Sequence, residues 1–407
     1  MIKSNIDSVC FVAKISEINP IPEADKIEQV KCGDYSCISL KGANTIGELV
    51  ILATTDAVIP TDLSEKLNIT NYLRKGNRVK TIKLKKTWSE CLIIKPEQIS
   101  ENITFIIQEG QDMEKSLGIF KYEEPDIEVV QKIPRAYFRW NKIHKIGMWR
   151  SYYNYQKNQL VRQLTKIHNN PNFKIYFKFP NIKNAPNVFE PNELITVQRK
   201  IHGSNARYLM NSKGEFYIGS HRVVKDAKIK QNPIKQFLHK LFIKEGGYYK
   251  TNIWQEMSDK YQIESKLVDY LSKVQTYNQE KINDIELYGE VYGSSVQGLY
   301  DYGLQGRELA LFDIQINGKY LSPYEVESVL KVLELPMVTI YTIQCPYSRF
   351  LERKDEFMNM KIPNSKLYEE GVVLKAETQG EGNLRACKVV SPFYLEYAAK
   401  NDIPENH

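Results

Sequence analysis

Lys200-Ile201-His202-Gly203-Ser204-Asn205 follows directly on an apolar run that is typical of a β-strand. A lysine amine attacks phosphorus well once it has lost its proton, and nearby positive charge or burial must lower its pKa for that to happen. Gly203 allows a sharp turn and a close approach of the backbone to a nucleotide. A lone Lys-x-x-Gly is common on protein surfaces, so the interpretation depends on the rest of the chain.

Aromatic, acidic and basic residues recur in a fixed order along the strand-like runs that follow. They are Arg222, Glu290, Phe312, Asp313, Glu370, Lys375, Arg385 and Lys388. Taken singly, Glu290 or Glu370 could be an ordinary surface acid and Phe312 an ordinary core residue. Together with Lys200 they supply what nucleotidyl transfer needs: a nucleophile, a ring platform for a base, carboxylates for a metal and cations for phosphates.

Residues 1–115 contain five or six short runs rich in β-branched residues and bounded by Gly, Pro or Asp. This spacing is typical of a small β-barrel such as an OB-fold. From about residue 192 to 401 a larger body of strand-like runs follows, interrupted by a helix-rich block at about 232–281. We therefore predict an α+β chain with an N-terminal OB-fold β-barrel and a larger C-terminal domain.

A basic run occupies residues 74–86, with seven Lys or Arg and no acid. Alternation over its strand-like part places Ile82 and Leu84 toward the core and Thr81 on the opposite, cation-bearing face. An ordinary solvated face is the alternative, but the absence of acids favours phosphate contacts. The candidate RNA-binding residues here are Arg78, Lys80, Lys83 and Lys85.

Residues 129–189 contain no Asp or Glu but twelve Lys or Arg and twelve aromatic residues, where the chain average would give about seven acids. Such segregation favours a polyanion partner, since cations neutralise phosphates and rings stack on bases. The near-helical spacing of Trp149, Tyr153, Leu160, Leu164 and Ile167 also indicates an amphipathic helix with buried aromatics. We interpret residues 116–190 as a basic, aromatic-rich linker with helical character, in which both readings apply.

Composition excludes several classes of protein. With 42% hydrophobic residues, the chain can bury real cores, and the net charge of +7 is mild for 407 residues. Cys32 and Cys37 lack a second Cys/His pair nearby for zinc, and all six cysteines are interpreted as reduced thiols, which favours a cytosolic or nuclear setting. No signal-peptide region and no membrane span are expected.

The ordered set is similar to the covalent nucleotidyltransferase superfamily of ATP ligases and mRNA-capping enzymes. Lys-x-His-Gly-Ser-Asn, with His202 before the glycine, resembles the RNA ligase 2 branch. The segments Ile21 to Glu28, Arg78 to Leu84 and Leu117 to Glu123 resemble the Deinococcus-type RNA ligases, which carry an OB-fold ahead of the catalytic domain. The likeness spans most of residues 8–125 and 190–395, and it implies an ATP-grasp-like nucleotidyltransferase domain with antiparallel sheets over residues 191–407.

The resemblance implies a role for each matching residue. Lys200 would attack the α-phosphorus of ATP and hold AMP, with Lys375 and Lys388 gripping the α-phosphate as catalytic cations. Glu290 would bind the ribose hydroxyls and Phe312 would stack on adenine. The other implied contacts are Arg199, His202 and Gly203 around the nucleotide, Arg222 at a phosphate of ATP or of the RNA end, Asn205 at the RNA, and Glu370 and Asp313 at the metal.

Three positions depart from the pattern of the family. Arg199 stands where related ligases often have a glutamate that contacts the base, and its charge could instead help to lower the pKa of Lys200. Ala386 stands where a first lysine is common, so either Arg385 substitutes for it or one phosphate contact is absent. Lys86-Thr87-Trp88 stands where related ligases tend to have a glycine.

The function expected from this resemblance is ATP-dependent RNA ligation with Mg²⁺ or Mn²⁺. AMP would pass from Lys200 to a 5′-phosphate, and a 3′-hydroxyl would then displace it, sealing a nick whose 3′-hydroxyl strand ends in RNA. The partners expected are RNA or an RNA-containing nicked duplex, and the chain is expected to be a monomer. The rival interpretations are a capping guanylyltransferase or DNA ligase, and a non-catalytic RNA-binding relative.

Overall fold

Short antiparallel strands make up the N-terminal domain, and two larger antiparallel sheets with helices make up the C-terminal domain. This computed structural model describes residues 8–55, 57–74, 76–99, 107–122, 155, 176, 179–185, 187–221, 252–278, 282–296, 300–363, 365–377 and 385–401. Most of the predicted basic linker and residues 232–251 of the predicted insertion lie outside the described residues.

The N-terminal domain contains ten described strands. They are β1 (Cys10–Lys14), β2 (Glu17–Pro20), β3 (Ile27–Cys32), β4 (Tyr35–Leu40), β5 (Leu49–Thr54), β6 (Ala57–Val58), β7 (Ile82–Leu84), β8 (Thr87–Ser89), β9 (Cys91–Ile94) and β10 (Phe120–Lys121). The helices are α1 (Thr61–Lys66), α2 (Pro96–Ile99) and α3 (Glu114–Leu117), with a 3₁₀ turn at Thr70–Tyr72. The sheets are β1-β5-β9, β2-β3-β4, β7-β8 and β10-β6.

The central sheet β1-β5-β9 is buried on both faces. Val12 and Ile51 pack on one side with residues of the α1 region, while Phe11 and Leu52 pack on the other side against β3 and β4. Burial on both faces explains why β5 is an almost continuous apolar run instead of an alternating one. The predicted β domain of short strands is present.

A disulfide joins Cys37 on β4 to Cys91 on β9, with their Cα atoms 5.6 Å apart. The other four cysteines are free and buried. The prediction that all six are reduced is therefore wrong for this pair. Since 54 residues separate the two, only the packing of the strands brings them together.

The C-terminal domain contains nine described strands in two sheets. They are β11 (Leu194–Lys200), β12 (Ser204–Asn211), β13 (Phe216–Gly219), β14 (Asp284–Gly293), β15 (Arg307–Ile316), β16 (Lys319–Tyr320), β17 (Ile340–Pro346), β18 (Gly371–Ala376) and β19 (Ala386–Val390). The orders are β17-β11-β18-β19 and β13-β12-β14-β15-β16. All pairings are antiparallel, as the resemblance predicted.

Six described helices belong to this domain. They are α4 (Ile253–Tyr261), α5 (Ile263–Asn278), α6 (Pro323–Val332), α7 (Tyr347–Glu352), α8 (Lys354–Met358) and α9 (Pro392–Lys400), with a 3₁₀ turn at Ile182–Asn184. Five of these six helices cover the outer faces of the sheets, while α9 packs in a separate cluster with Tyr300 and Tyr302. Leu267 and Leu271 of α5 are buried in the core, as their period predicted. Among the described residues, no helix combines the length and apolar character that crossing a membrane needs.

Side-chain alternation leaves a polar cleft between the two sheets. Ile285, Leu287 and Val291 of β14 enter the helix-covered core, so Glu286, Tyr288 and Glu290 point the other way. On the four-stranded sheet, Val372 and Leu374 pack outward against α7 and α8. The opposite face carries the side chains of Lys200, Lys375 and Lys388, by the strand registers.

Candidate active site

The Lys200 amine lies at the end of β11 and pairs with the carboxylate of Glu370. Lys200 Nζ donates a hydrogen bond to Glu370 Oε1, and the two side chains are only 14% and 3% exposed. Because Lys200 is opposite Gly371 in the β11–β18 register, the residue before Gly371 is placed beside the amine. The structure therefore brings together two residues that are 170 positions apart in the sequence.

Glu290 approaches the same lysine from the five-stranded sheet. It pairs with Asn205 across β12 and β14, and the backbone N–H of Gly203 donates to its carboxylate. Burial raises the pKa of Glu290 from 4.5 to about 8; the Lys200 charge opposes this rise and the Glu370 charge adds to it. The side chain nevertheless keeps some accessible surface. The amine thus contacts one carboxylate directly before β18 and interacts electrostatically with a second carboxyl group on β14.

Two glycines make this convergence possible. A Cβ on Gly203 would overlap the carbonyl oxygen of Val291 and stand 2.8 Å from Glu290 Cγ. A Cβ on Gly371 would overlap the carbonyl oxygen of Val389, and the φ of Gly371 is +146°, which side chains rarely allow. Both positions therefore require glycine for a steric reason, and at Gly203 the close neighbour is strand β14.

His202 is buried and held by tyrosines. Its backbone N–H donates to Tyr302 Oη at 2.5 Å, and its Nδ1 lies 3.0 Å from Tyr394 Oη. The imidazole also meets Tyr300 edge to face, with centroids 5.5 Å apart. His202 therefore orients the loop after Lys200, and the geometry gives more support to this positioning than to a direct contact with the nucleotide.

Arg199 forms a two-point ion pair with Glu369. Its Nε donates to Glu369 Oε2 at 2.9 Å, and its NH2 lies 2.8 Å from Oε1. Burial alone would lower the pKa of Arg199, but the carboxylate more than offsets this and raises it. The guanidinium is thus engaged in the ion pair with Glu369. It also lies 5.0 Å from the ring centroid of Tyr302. The second carboxylate, Glu369, was not a predicted site residue.

Phe312 and Asp313 meet the buried lysine Lys375. The β14–β15 register slips by one residue after Tyr288, so Phe312 is the extra residue of a β-bulge. Lys375 Nζ lies 2.8 Å from both Asp313 Oδ2 and the Phe312 carbonyl oxygen, and 5.4 Å from the Phe312 ring centroid. Consecutive side chains of β15 thereby contact the same cation.

The Lys375–Asp313 pair is sealed from solvent. The two side chains are 1% and 2% exposed, and the hydroxyl of Tyr176 donates to Asp313. Burial lowers the pKa of Lys375 and raises that of Asp313, while their mutual attraction opposes both shifts. Lys375 and Asp313 are thus already engaged with each other, which argues against the predicted phosphate grip of Lys375 and the predicted metal contact of Asp313.

Lys388 and Ala386 lie on β19 beside this pair. Lys388 is opposite Val373, and its backbone N–H donates to the Pro180 carbonyl oxygen at 2.9 Å. Ala386 is buried against the rings of Tyr176 and Tyr288, so it fills a packing position in the cleft. Arg385, the proposed substitute for a lysine at 386, is instead hydrogen-bonded to Glu193.

The predicted RNA-binding residues have different surroundings. Arg78 is only 7% exposed, and its guanidinium lies 3.7 Å from the Tyr122 ring centroid, so it does not belong to an exposed cationic face. Lys80 and Lys83 are partly exposed and Lys85 is exposed. Arg222 lies outside the described residues. Asn205 accepts a hydrogen bond from Trp254 Nε1 through its backbone carbonyl, at 2.8 Å.

The inward and outward faces of the basic run differ from those predicted. Strand β7 spans only Ile82–Leu84, and Leu84 is 43% exposed. Thr81 is buried instead, and its hydroxyl lies 3.0 Å from that of Thr55. The predicted alternation was wrong because Thr81 lies before the strand and the strand itself has only three residues, too few to establish a buried and an exposed face.

A metal site would have to be shared with a substrate. Among the described residues, no three His, Cys, Asp or Glu side chains converge on one point. Glu370, beside Lys200, offers hard oxygen donors. Mg²⁺ and Mn²⁺ favour oxygen ligands, and Mg²⁺ is commonly held by one or two carboxylates together with substrate phosphates. The donors present therefore fit such an ion.

Family comparisons agree with this division of the chain. Residues 193–390 match the RNA ligase family, and residues 9–96 match an OB-fold domain. The C-terminal domain is thus similar to the RNA ligase family over nearly its whole length. The predicted fold class, an N-terminal OB-fold followed by a ligase-type nucleotidyltransferase domain, is confirmed. No curated protein is similar enough in sequence to count as a match.

Solved structures of Naegleria gruberi RNA ligase share the fold of both domains of this chain. An apo mutant is 20% identical, with a TM-score of 0.64, and the match covers 97% of this chain and 98% of that one. A form with pyrophosphate is 19% identical, with a TM-score of 0.64 over 97% and 99%. A mutant with ATP and Mn is 20% identical, with a TM-score of 0.65 over 96% and 98%.

Proposed function

We propose that the RNA ligase domain joins RNA ends at the expense of ATP, through AMP bound to Lys200. One observation carries the proposal: in a domain similar to this family, the half-buried Lys200 amine is hydrogen-bonded to Glu370 and interacts electrostatically with Glu290. The Naegleria relatives solved with ATP, AMP and Mn support ATP and a divalent cation as the cofactors.

Lys200 performs the first step by attacking the α-phosphorus of ATP, forming a P–N bond and releasing pyrophosphate. The amine must first give up its proton, and Glu370, already hydrogen-bonded to it, is placed to take that proton. Glu370 and the phosphates would hold a divalent cation, which would neutralise charge on the triphosphate. Lys388 supplies the cation that stabilises charge on the α-phosphate.

The nucleoside lies between the sheets in this proposal. Glu290 accepts hydrogen bonds from the ribose hydroxyls, and Phe312 stacks on the adenine. Lys375 and Asp313 act together as a buried pair that fixes the Phe312 bulge, since Lys375 bonds the Phe312 carbonyl oxygen. This assignment replaces a phosphate contact for Lys375 with a positioning one.

The AMP then moves to a 5′-phosphate, and a 3′-hydroxyl displaces it to form the phosphodiester. We propose a nicked duplex with an RNA 3′-hydroxyl strand as substrate, held partly by Lys80, Lys83 and Lys85 of the basic run. In this scheme Arg222 contacts the 5′-phosphate, and Asn205 also contacts the RNA. The Deinococcus-type branch is a further part of the proposal, supported by the resemblance of the N-terminal segments, and a monomeric state is proposed with it.

Labelling with ATP and GTP tests the first step. Wild-type protein should form a covalent adduct with α-labelled ATP, and Lys200→Ala should form none, while Lys213→Ala, at an exposed lysine, should label normally. An adduct from GTP alone would favour a capping guanylyltransferase.

Sealing assays test the substrate. Duplexes with RNA or DNA on each side of the nick should be sealed only when the 3′-hydroxyl strand ends in RNA. Nick sealing by Lys200→Ala at the wild-type rate would overturn the covalent mechanism.

A further inference from the structure

Helix α9 contacts the N-terminal domain at both of its ends. In its first turn, Phe393 meets Trp88 of the β7–β8 hairpin edge to face, with ring centroids 5.4 Å apart. In its last turn, the Ala398 carbonyl oxygen accepts a hydrogen bond from Arg74 at 3.0 Å. A cation at the carbonyl end of a helix is electrostatically favourable. The OB-fold therefore holds this helix from two sides.

The same first turn of α9 holds the groups around Lys200. Ser391, the N-cap residue, donates its backbone N–H to the Glu370 carbonyl oxygen at 2.8 Å. Tyr394 Oη lies 3.0 Å from Nδ1 of His202, two residues after the nucleophile. Within residues 391–394, Ser391, Phe393 and Tyr394 thus connect the OB-fold hairpin with Glu370 and His202, the two residues through which this turn is connected to Lys200.

A ring stack adds a second connection to the carboxylates. Phe393 stacks on Tyr368 with centroids 4.5 Å apart and planes 16° from parallel. Tyr368 directly precedes Glu369 and Glu370, and its carbonyl oxygen accepts a hydrogen bond from Tyr300. Moving Phe393 would therefore disturb the segment that delivers both carboxylates.

We propose that Trp88 is a positioning residue for adenylate transfer to Lys200. Its packing on Phe393 fixes the first turn of α9, and that turn holds His202 and Glu370 in place. The inference rests on the proposed function, and it gives the OB-fold a part in a step that involves no RNA. Trp88 itself touches neither the nucleotide nor the reacting atoms in this proposal.

Base stacking by Trp88 is the competing explanation, since aromatic rings on OB-folds commonly stack on bases. The surroundings of the ring favour the positioning explanation. Lys83 Nζ lies 4.4 Å from the Trp88 ring centroid and 4.9 Å from that of Phe393, so protein groups already occupy the ring's surroundings. An aromatic pair with a cation nearby is a stabilising arrangement.

The test is single-turnover formation of the labelled adduct without RNA, over a range of ATP concentrations. Trp88→Ala should lower the maximal rate roughly tenfold while changing the half-saturating ATP concentration less than about twofold. Trp88→Phe keeps a ring and should recover most of the rate. Tyr72→Ala, at an exposed aromatic residue of the same domain, should match the wild type.

A double-mutant cycle with Phe393→Leu tests the contact itself. Phe393→Leu keeps apolar volume, so it remains informative if Trp88→Ala does not fold, and it should also slow adduct formation. The double variant should be no slower than the slower single variant, because both remove one contact. Additive effects would refute the proposal.

Two further outcomes would overturn the proposal. If Trp88→Ala forms the adduct at the wild-type rate but seals RNA poorly, Trp88 contacts RNA instead. If Trp88→Phe fails to restore the rate while its unfolding temperature equals that of the wild type, the packing is irrelevant. Absence of any adduct in the wild-type protein would instead refute the proposed function beneath it.

Discussion

Because the pKa of Glu290 is raised, its protonation should be measurable as a pH dependence of the protein's stability. Burial is the main cause that raises this pKa from 4.5 to about 8, with Glu370 adding to the rise and Lys200 opposing it. The folded protein therefore keeps a proton on Glu290 at pH values at which the unfolded chain has released it. Raising the pH from about 5 to about 8 should consequently destabilise the protein. Glu290→Gln has no proton to release there, so it should escape this loss.

The size of the effect follows from the same shift. If the whole difference in the Glu290 pKa between the unfolded and folded states acted on stability, the unfolding free energy would change by about 4 to 5 kcal/mol, at about 1.4 kcal/mol per pKa unit. Glu290 is partly accessible and is coupled to two charged neighbours, so we expect about 2 kcal/mol. Relative to wild type, Glu290→Gln should become more stable by that amount as the pH rises.

Urea unfolding without ATP at a series of pH values measures this difference. Other titrating groups cancel when wild type and variant are compared at each pH. Glu352→Gln removes an exposed carboxylate on α7 and serves as the control, with a difference that should stay flat. A Glu290→Gln difference that is equally flat, or that changes in the opposite direction with pH, would refute the argument that Glu290 is protonated in the folded protein.

Other positions give sharp expectations. Gly371→Ala should abolish adduct formation and cost several kcal/mol of stability, because its Cβ has no room beside the β19 backbone; a variant that labels normally would show that the strand can move. Lys375→Met should lower the unfolding free energy by about 3 to 5 kcal/mol, since it leaves Asp313 buried without its cation, and Lys375→Met/Asp313→Asn should recover part of it in denaturation curves. Alkylation of the unreduced, denatured protein should leave Cys37 and Cys91 unmodified, and mass spectrometry showing six modified thiols would contradict the disulfide.

Sequence patterns were sufficient for the elements that depend on local order. The strand before Lys200, the helix with Leu267 and Leu271, and the division into a β domain and a larger mixed domain are all present in the structure. They could be predicted because period and turn residues are local properties of the chain. The alternation predicted for the basic run was wrong, since Thr81 is buried and Leu84 is exposed. A strand of three residues is too short to define an alternation.

The candidate site shows the same limit. The ordered motif suggested Lys200, Glu290 and Glu370, and the structure places these three together. Nothing in the order of residues indicated that Lys375 and Asp313 would pair with each other, because a β-bulge and a second sheet bring them together. Three tyrosines and one acid that hold the site were missed altogether, because they are chemically ordinary; they are Tyr176, Tyr302, Tyr394 and Glu369.

By itself, the sequence determined the chemical inventory: one lysine after a strand, a glycine three residues later, and carboxylates and cations in a fixed order. Tertiary structure alone decided which charges pair, which cysteines join, and that the OB-fold grips the helix beside the nucleophile. The physical reason is range. Local propensity acts over a few residues, whereas burial, ion pairing and ring packing act between groups that only the folded sheets bring within contact distance.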